Sequence, residues 1–349
     1  MKPLLRATPR LDTTALIYLA LAGVLAVGAV AVAAGGKNLF STANLVDMLT
    51  RTSLTGFLAI GMTLVILCRS LDLSVGYTAA LSSLVAATTM DGDVGRIPLA
   101  VGAVLLVSGL IGAANGTIVA YLKVNPFIAT LGTGLIIKGY LDTQYKGPAG
   151  DVPAVFQQFG YTRIGFIPVS ALVMLALAAA AIWFLRSTRT GHHMYAVGGD
   201  TEVARMSGIR TGRVLVAAHV LCAMFAGVAG LLLAARFGTG SAEAYTNLYE
   251  LDAIAAVVLG GTLLLGGKGG VAGTVAGVLI LAVLDTVFNV MQIDPFAKDV
   301  LRGAVIITAV AIYARRQLDR TARRPRFKLA GSAPTPPDTI RDSREVKPS

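Results

Sequence analysis

Apolar runs close to twenty residues long follow one another almost from end to end of this chain. A run of that length crosses a hydrocarbon layer of about 30 Å at about 1.5 Å per residue. In lipid every backbone N–H and C=O must be bonded within the protein, so only helices and closed barrels cross. The runs do not alternate polar and apolar with period two, which argues against a barrel. The expected fold is therefore an all-α polytopic membrane protein. Composition agrees: 55% of residues are hydrophobic and only 14% charged, where a soluble domain carries about 25%.

Ten spans are expected, at about 14–34, 44–67, 73–90, 97–121, 126–142, 166–186, 214–236, 251–265, 270–291 and 297–314. Residues 14–314 then form one transmembrane domain between a short N-terminal tail (1–13) and a basic tail (315–349). An even number puts both ends on one side. With the N-terminus inside, 21 of the 30 Lys and Arg residues fall in inner segments, so both termini are expected in the cytoplasm. The net charge of +11 then reflects topology, and nucleic acid is not an expected partner. The first run is long enough to span and has no small-residue cleavage site, so it reads as a helix, not a removed signal. The end of the chain, rich in Pro and Ser, cannot bury enough apolar surface to fold. Its basic start suits a stop-transfer anchor or contact with anionic lipid. Cys68 and Cys222 lie in apolar stretches and read as buried thiols, not a disulfide.

Several polar stretches interrupt the runs. The turn GGTLLLGGKGG (260–270) has Thr262 and Gly269 where a phosphate-binding loop needs Gly and Ser or Thr, so it is a Gly-rich inner turn. No other stretch offers a nucleotide site. A faint repeat places Ala59-Ile60 before Gly76 as Ala253-Ile254 stands before Gly270; duplicated halves with broken helices are common in transporters. In RSLDLSVGY (69–77), Asp72 either pairs with Arg69 or caps the next span with Ser74, and a role beside the path is the alternative. In NPFIATLGT (125–133), Asn125 caps a helix with Pro126 at its first position, and Phe127, Thr130 and Thr133 fall near one face. Glu250 and Asp252 are read as acidic residues at the outer start of a span. Gly112/Gly116 and Gly273/Gly277 allow close helix approach.

The loop at 187–213 contains MYAVGGDTEVARMSGIRTGR (194–213). Its middle, 200–208, reads as one short helix. Asp200 or Thr201 caps it, Glu202 suits its positive end, and Gly208 stops it. Ala204 and Ser207 are small enough to enter a groove, while Arg205 snorkels or meets a partner carboxylate. So defined a helix in a cytoplasmic loop is either a docking element or an interfacial helix on the bilayer.

At these residues the chain resembles the permease subunits of sugar ABC importers, the family of ribose-, xylose- and galactose-type permeases, and within it the ribose type. The segments 59–76, 126–133, 195–209, 249–270 and 301–310 carry the likeness. Two positions depart from the family: Arg69, Ser70 and Leu71 stand where a small pair precedes the DLSVG stretch, and Asp200 replaces an Asn. The resemblance implies a type II-like importer permease in a bacterial inner membrane, with no catalytic residues and no cofactor of its own. A separate ABC ATPase would bind ATP and Mg. It would dock on a coupling element comprising Gly198, Gly199, Asp200, Glu202, Ala204, Arg205, Ser207 and Gly208. A periplasmic or lipid-anchored binding protein would deliver a monosaccharide, and a second permease, identical or related, would complete the path. Asp72, Ser74, Asn125, Phe127 and Thr130 are the expected path residues.

Two rivals remain at this point. An ion-coupled carrier needs a carboxylate within the membrane, and Asp72 and Asp285 are the candidates. An intramembrane enzyme needs a Ser/His/Asp or metal set, and none is visible, since His219 is the only His within a span.

Overall fold

The structure is a computed structural model that describes residues 13–294 without interruption and, beyond them, residues 296, 297, 300, 303, 304 and 307. The tail ending at residue 12, most of the span expected at 297–314 and the tail at 315–349 lie outside the described residues.

Helices dominate. They are α1 (Thr13–Ala34), α2 (Thr42–Leu67), α3 (Val75–Met90), α4 (Ile97–Tyr121), α5 (Pro126–Gln144), α6 (Ala154–Tyr161), α7 (Val169–Ser187), α8 (Arg189–Gly199), α9 (Thr201–Met206), α10 (Thr211–Phe237), α11 (Tyr249–Leu259) and α12 (Val271–Val290). A two-residue antiparallel ladder, Arg163–Ile164 with Ile167–Pro168, precedes α7.

Six helices among the described residues are long and apolar enough to cross a membrane: α1, α2, α4, α7, α10 and α12. They match six of the ten expected spans, and the tenth, at 297–314, lies mostly outside the described residues. The 19-residue α5 carries Lys138 and Asp142 near its end. The other differences are physical. α3 has 16 residues and α11 has 11, about 24 Å and 17 Å at 1.5 Å per residue. α11 stops at Gly260, whose neighbour Gly261 has φ +79°, instead of running to 265. These two are partial helices that begin inside the bundle.

The core forms around α10, which packs on α4, α3 and α2. The second half of α2 is nearly all apolar, and Phe57, Leu58, Ile60, Met62, Leu64, Ile66 and Leu67 are completely buried, the pattern of a segment with no solvent or lipid face. Small residues set the spacing, as expected. A Cβ on Gly112 would lie 2.4 Å from the His219 carbonyl oxygen of α10, and one on Gly277 2.1 Å from that of Ala256. Cys68 and Cys222 are both buried and unpaired.

Candidate functional site

The two broken spans meet each other. α2 ends at Leu67, and Arg69 turns the chain with φ +61°, a left-handed conformation that glycine adopts without strain. The Arg69 backbone N–H still bonds the Ile66 carbonyl (3.0 Å), and its Nε donates to the Leu265 carbonyl (2.7 Å). Arg69 therefore does not pair with Asp72; it ties the first break to the second. The Gly267 N–H donates to the Leu67 carbonyl at 3.0 Å, and the Thr63 and Thr274 hydroxyls bond at 2.7 Å.

Helix α8 lies against this junction. Sequence reading left 187–199 without a helix of its own, but Thr188 caps one by accepting from Gly191 N–H (3.0 Å). Gly198 sits so close that a Cβ there would be 1.7 Å from the Leu67 carbonyl oxygen and 2.6 Å from Gly267 N. Tyr195 donates its hydroxyl to the Gly269 carbonyl (3.0 Å). Burial raises the pKa of that phenol, with the Arg186 charge opposing, so the donor proton is retained.

Helix α9 follows at once. Asp200 Oδ1 accepts from the N–H groups of Glu202 (2.9 Å) and Val203 (3.1 Å), the expected cap. Gly208 has φ +82°. The Gly208 N–H bonds the Arg205 carbonyl and the Ile209 N–H bonds that of Ala204, the two bonds of a Schellman stop. One expectation is corrected here. Ala204 is buried against its own chain and is not free to enter a partner's groove. Arg205 pairs with Glu202 at 2.7 Å, and both side chains are exposed, so the pair adds little stability. Ser207 is exposed, and its hydroxyl bonds the Val203 carbonyl. Gly199 has open space around it, unlike Gly198. The outward face also presents Val203 and Met206, 59% and 85% exposed. Two bare apolar side chains in a charged loop were the signal that sequence reading missed.

Above the first break lies a buried polar network. Asp72 Oδ1 accepts from the Ser74 N–H (3.0 Å) and hydroxyl (2.5 Å), and Asp72 Oδ2 faces His219 Nδ1 at 3.3 Å. His219 Nε2 lies 2.9 Å from the Ser70 hydroxyl. With the Nδ1 proton directed to Asp72, Nε2 accepts from Ser70. Asn115 donates to Ser74 Oγ (2.9 Å) and accepts from Thr133 (2.6 Å), while Thr130 Oγ1 accepts from the Leu73 N–H (3.0 Å). The segment between α2 and α3 is thereby tied to α4, α5 and α10. His219 and Asn115 went unread, although a polar residue in an apolar run is their signal.

This network changes several expectations. Ser70, His219 and Asp72 do form a Ser–His–carboxylate line, where none was foreseen. All three are buried, so no substrate reaches the serine in this conformation. Asp72, Ser74 and Thr130 are equally buried, and in this conformation they brace the break. Asn125 caps α5 by accepting from the Phe127 N–H (2.9 Å); Phe127 is half exposed, while Thr130 is buried. Asp285 lines a small crevice with Arg51 and Asp252. Glu250, the second residue of α11, is buried.

Comparison with known proteins places this geometry. The family profile described as "Branched-chain amino acid transport system / permease component" matches residues 44–310. The ribose import permease protein of Escherichia coli K12 is 38% identical over 285 residues, 80% of this chain and 88% of that protein. The galactose/methyl galactoside import permease protein of Haemophilus influenzae is 34% identical over 297 residues, covering 78% and 88%. The ribose import permease protein of Bacillus subtilis is 37% identical over 274 residues, covering 77% and 84%. No solved structure matches the chain.

Proposed function

Because this chain belongs to the branched-chain amino acid transport system permease family, we propose that it is the membrane-spanning subunit of an ATP-driven importer whose cargo is a monosaccharide. The cargo class rests on the relatives matched along most of their length, which are ribose and galactose permeases. The observation that carries the mechanism is the clamp of α8 on the paired breaks, with α9 facing outward beside it. A separate ATPase seated on α9, with ATP and Mg, moves α8. An extracytoplasmic binding protein loads the sugar from the other side, and a second permease copy completes the path in a bacterial inner membrane. The chain itself breaks no bonds of its cargo.

The test is reconstitution in proteoliposomes of this subunit with the ATPase and binding protein of its own importer. Radiolabelled pentoses and hexoses should accumulate only when all components and ATP are present. Accumulation by the purified subunit alone, or uptake that survives ATP removal and collapses with an ion gradient, would refute the reading.

A further inference from the structure

Beyond α10 the chain folds back into the bundle before α11 starts. It does so through a short 3-10 turn (Ala242–Asn247) and through Leu248, whose φ is +51°. No side chain caps α11. Its second residue, Glu250, is 5% exposed, and one carboxylate oxygen, Oε2, is buried with no hydrogen-bond partner. That oxygen lies against the first turn of α3. A Cβ on Gly76 would stand 2.2 Å from Oε2 and 3.8 Å from the Glu250 backbone nitrogen. The N-terminal ends of two partial helices therefore converge at Glu250. Their positive ends favour a carboxylate there, yet leaving an acceptor oxygen unbonded inside a protein is costly.

The surroundings have a definite chemistry. Tyr77, next to Gly76 in α3, stacks on Tyr245 with centroids 5.5 Å apart. Tyr245 donates its hydroxyl to Asp142 (2.6 Å), which pairs with Lys138 (2.5 Å), and the Lys138 ammonium lies 5.3 Å from the Tyr245 ring centre. The Lys138 and Asp142 side chains remain 40% and 43% exposed, so this end of the cluster lies at the surface of the chain. A carboxylate with an unused lone pair beside aromatic rings suits an uncharged polyol. The carboxylate takes hydroxyl protons, and the ring faces cover C–H surfaces.

We propose that Glu250 is a cargo-contacting residue of the translocation path, its carboxylate accepting a hydrogen bond from a sugar hydroxyl. This rests on the monosaccharide reading above and adds the residue that would hold the sugar in mid-passage. The Tyr77–Tyr245 pair and its tie to α5 stand beside it in this conformation.

The experiment uses the complete importer in proteoliposomes with saturating, fully loaded binding protein, so that binding-protein affinity drops out. Uptake of radiolabelled ribose, galactose and their single-deoxy analogues is compared between wild type and Glu250→Gln. Wild type should move one deoxy analogue about tenfold more slowly than its parent, the loss of one charge-assisted hydrogen bond. Glu250→Gln keeps an acceptor oxygen but loses the charge, so it should slow the parent several-fold and narrow the gap between parent and that one analogue. Equal losses on the parent and every analogue would show a structural role and overturn the proposal, as would wild-type uptake by the variant. Should Glu250→Gln fail to assemble, Glu250→Asp is read by the same criterion. A wild-type importer that moves none of these sugars would instead sink the monosaccharide reading, and this inference with it.

Discussion

Two adjacent glycines in α8 are predicted to behave oppositely. In Gly198→Ala the new Cβ falls 1.7 Å from the Leu67 carbonyl oxygen, and real Cβ contacts lie beyond 3.0 Å. Since the obstacle is backbone, α8 and the junction must separate by more than 1 Å. The same Cβ lies 2.6 Å from Gly267 N, whose N–H bonds that carbonyl, so this hydrogen bond is forced open. Overpacking costs about 1–3 kcal/mol and the bond about 1 kcal/mol. The helical gain of alanine over glycine offsets about 0.5–1 kcal/mol of this. The net is about 1–3 kcal/mol, or several degrees of melting midpoint at roughly 2 °C per kcal/mol. Gly199→Ala meets nothing within 4 Å and should melt at or above wild type. The assay is thermal unfolding of the two variants in detergent beside ATP-driven uptake in proteoliposomes. Gly198→Ala should lose uptake and stability together, and Gly199→Ala should keep both. A Gly198→Ala protein with the wild-type midpoint, or equal loss in both variants, would refute the clamp.

Three further outcomes follow from the same geometry. Gly208→Val places a β-branched residue at φ +82°, costs at least about 1–2 kcal/mol and removes the stop of α9; uptake should fall while ATP hydrolysis continues, and normal uptake would contradict the docking role. His219→Ala removes the ring nitrogen facing Asp72 and the partner of the Ser70 hydroxyl, while Ser74 still bonds the carboxylate, a loss of about 1–3 kcal/mol; an unchanged melting midpoint would show that the network does not brace the break. Met206→Glu changes a side chain that is 85% exposed, so the isolated subunit should melt within about 0.5 kcal/mol of wild type. Its ATPase should nevertheless be lost on co-purification, and an intact complex would remove Met206 from the docking face.

The long spans were legible because a twenty-residue apolar run has only one way to satisfy its backbone in lipid. α9 was legible because its signals are local: a capping carboxylate, a first-turn Glu and a Gly at the stop. The partial helices were not. Residues 251–265 are as apolar as a span, and nothing within them shows that α11 ends near Gly260 or that its start lies inside the bundle. Those limits come from α2, α3 and α12, far away in sequence. Ser70, Asp72 and His219 were misjudged for the same reason, since their meeting depends on α10 returning beside the first break. The faint repeat around Gly76 and Gly270 was the best sequence pointer to the two breaks, and both residues do border the starts of helices that follow a break.

Breaking a span inside a membrane exposes backbone groups that must find partners. At the first break the Leu67 carbonyl accepts from Gly267, the Ser70 N–H bonds Val65, the Leu73 N–H bonds Thr130 and the Ser74 N–H bonds Asp72. At the second, the Leu263 N–H bonds the Lys268 carbonyl, the Gly270 N–H bonds Thr262, and the Gly269 carbonyl takes the Tyr195 hydroxyl. The two breaks thus rely on each other, and the second also on α8, for part of their satisfaction. A displacement of α8 cannot disturb one break alone, because Gly198 touches Leu67 and Gly267 together. Those breaks precede α3 and α12, and α3 begins against the buried end of α11. The contacts that make the broken spans tolerable in lipid are therefore the same ones through which a push on α9 would bear on the bundle's interior.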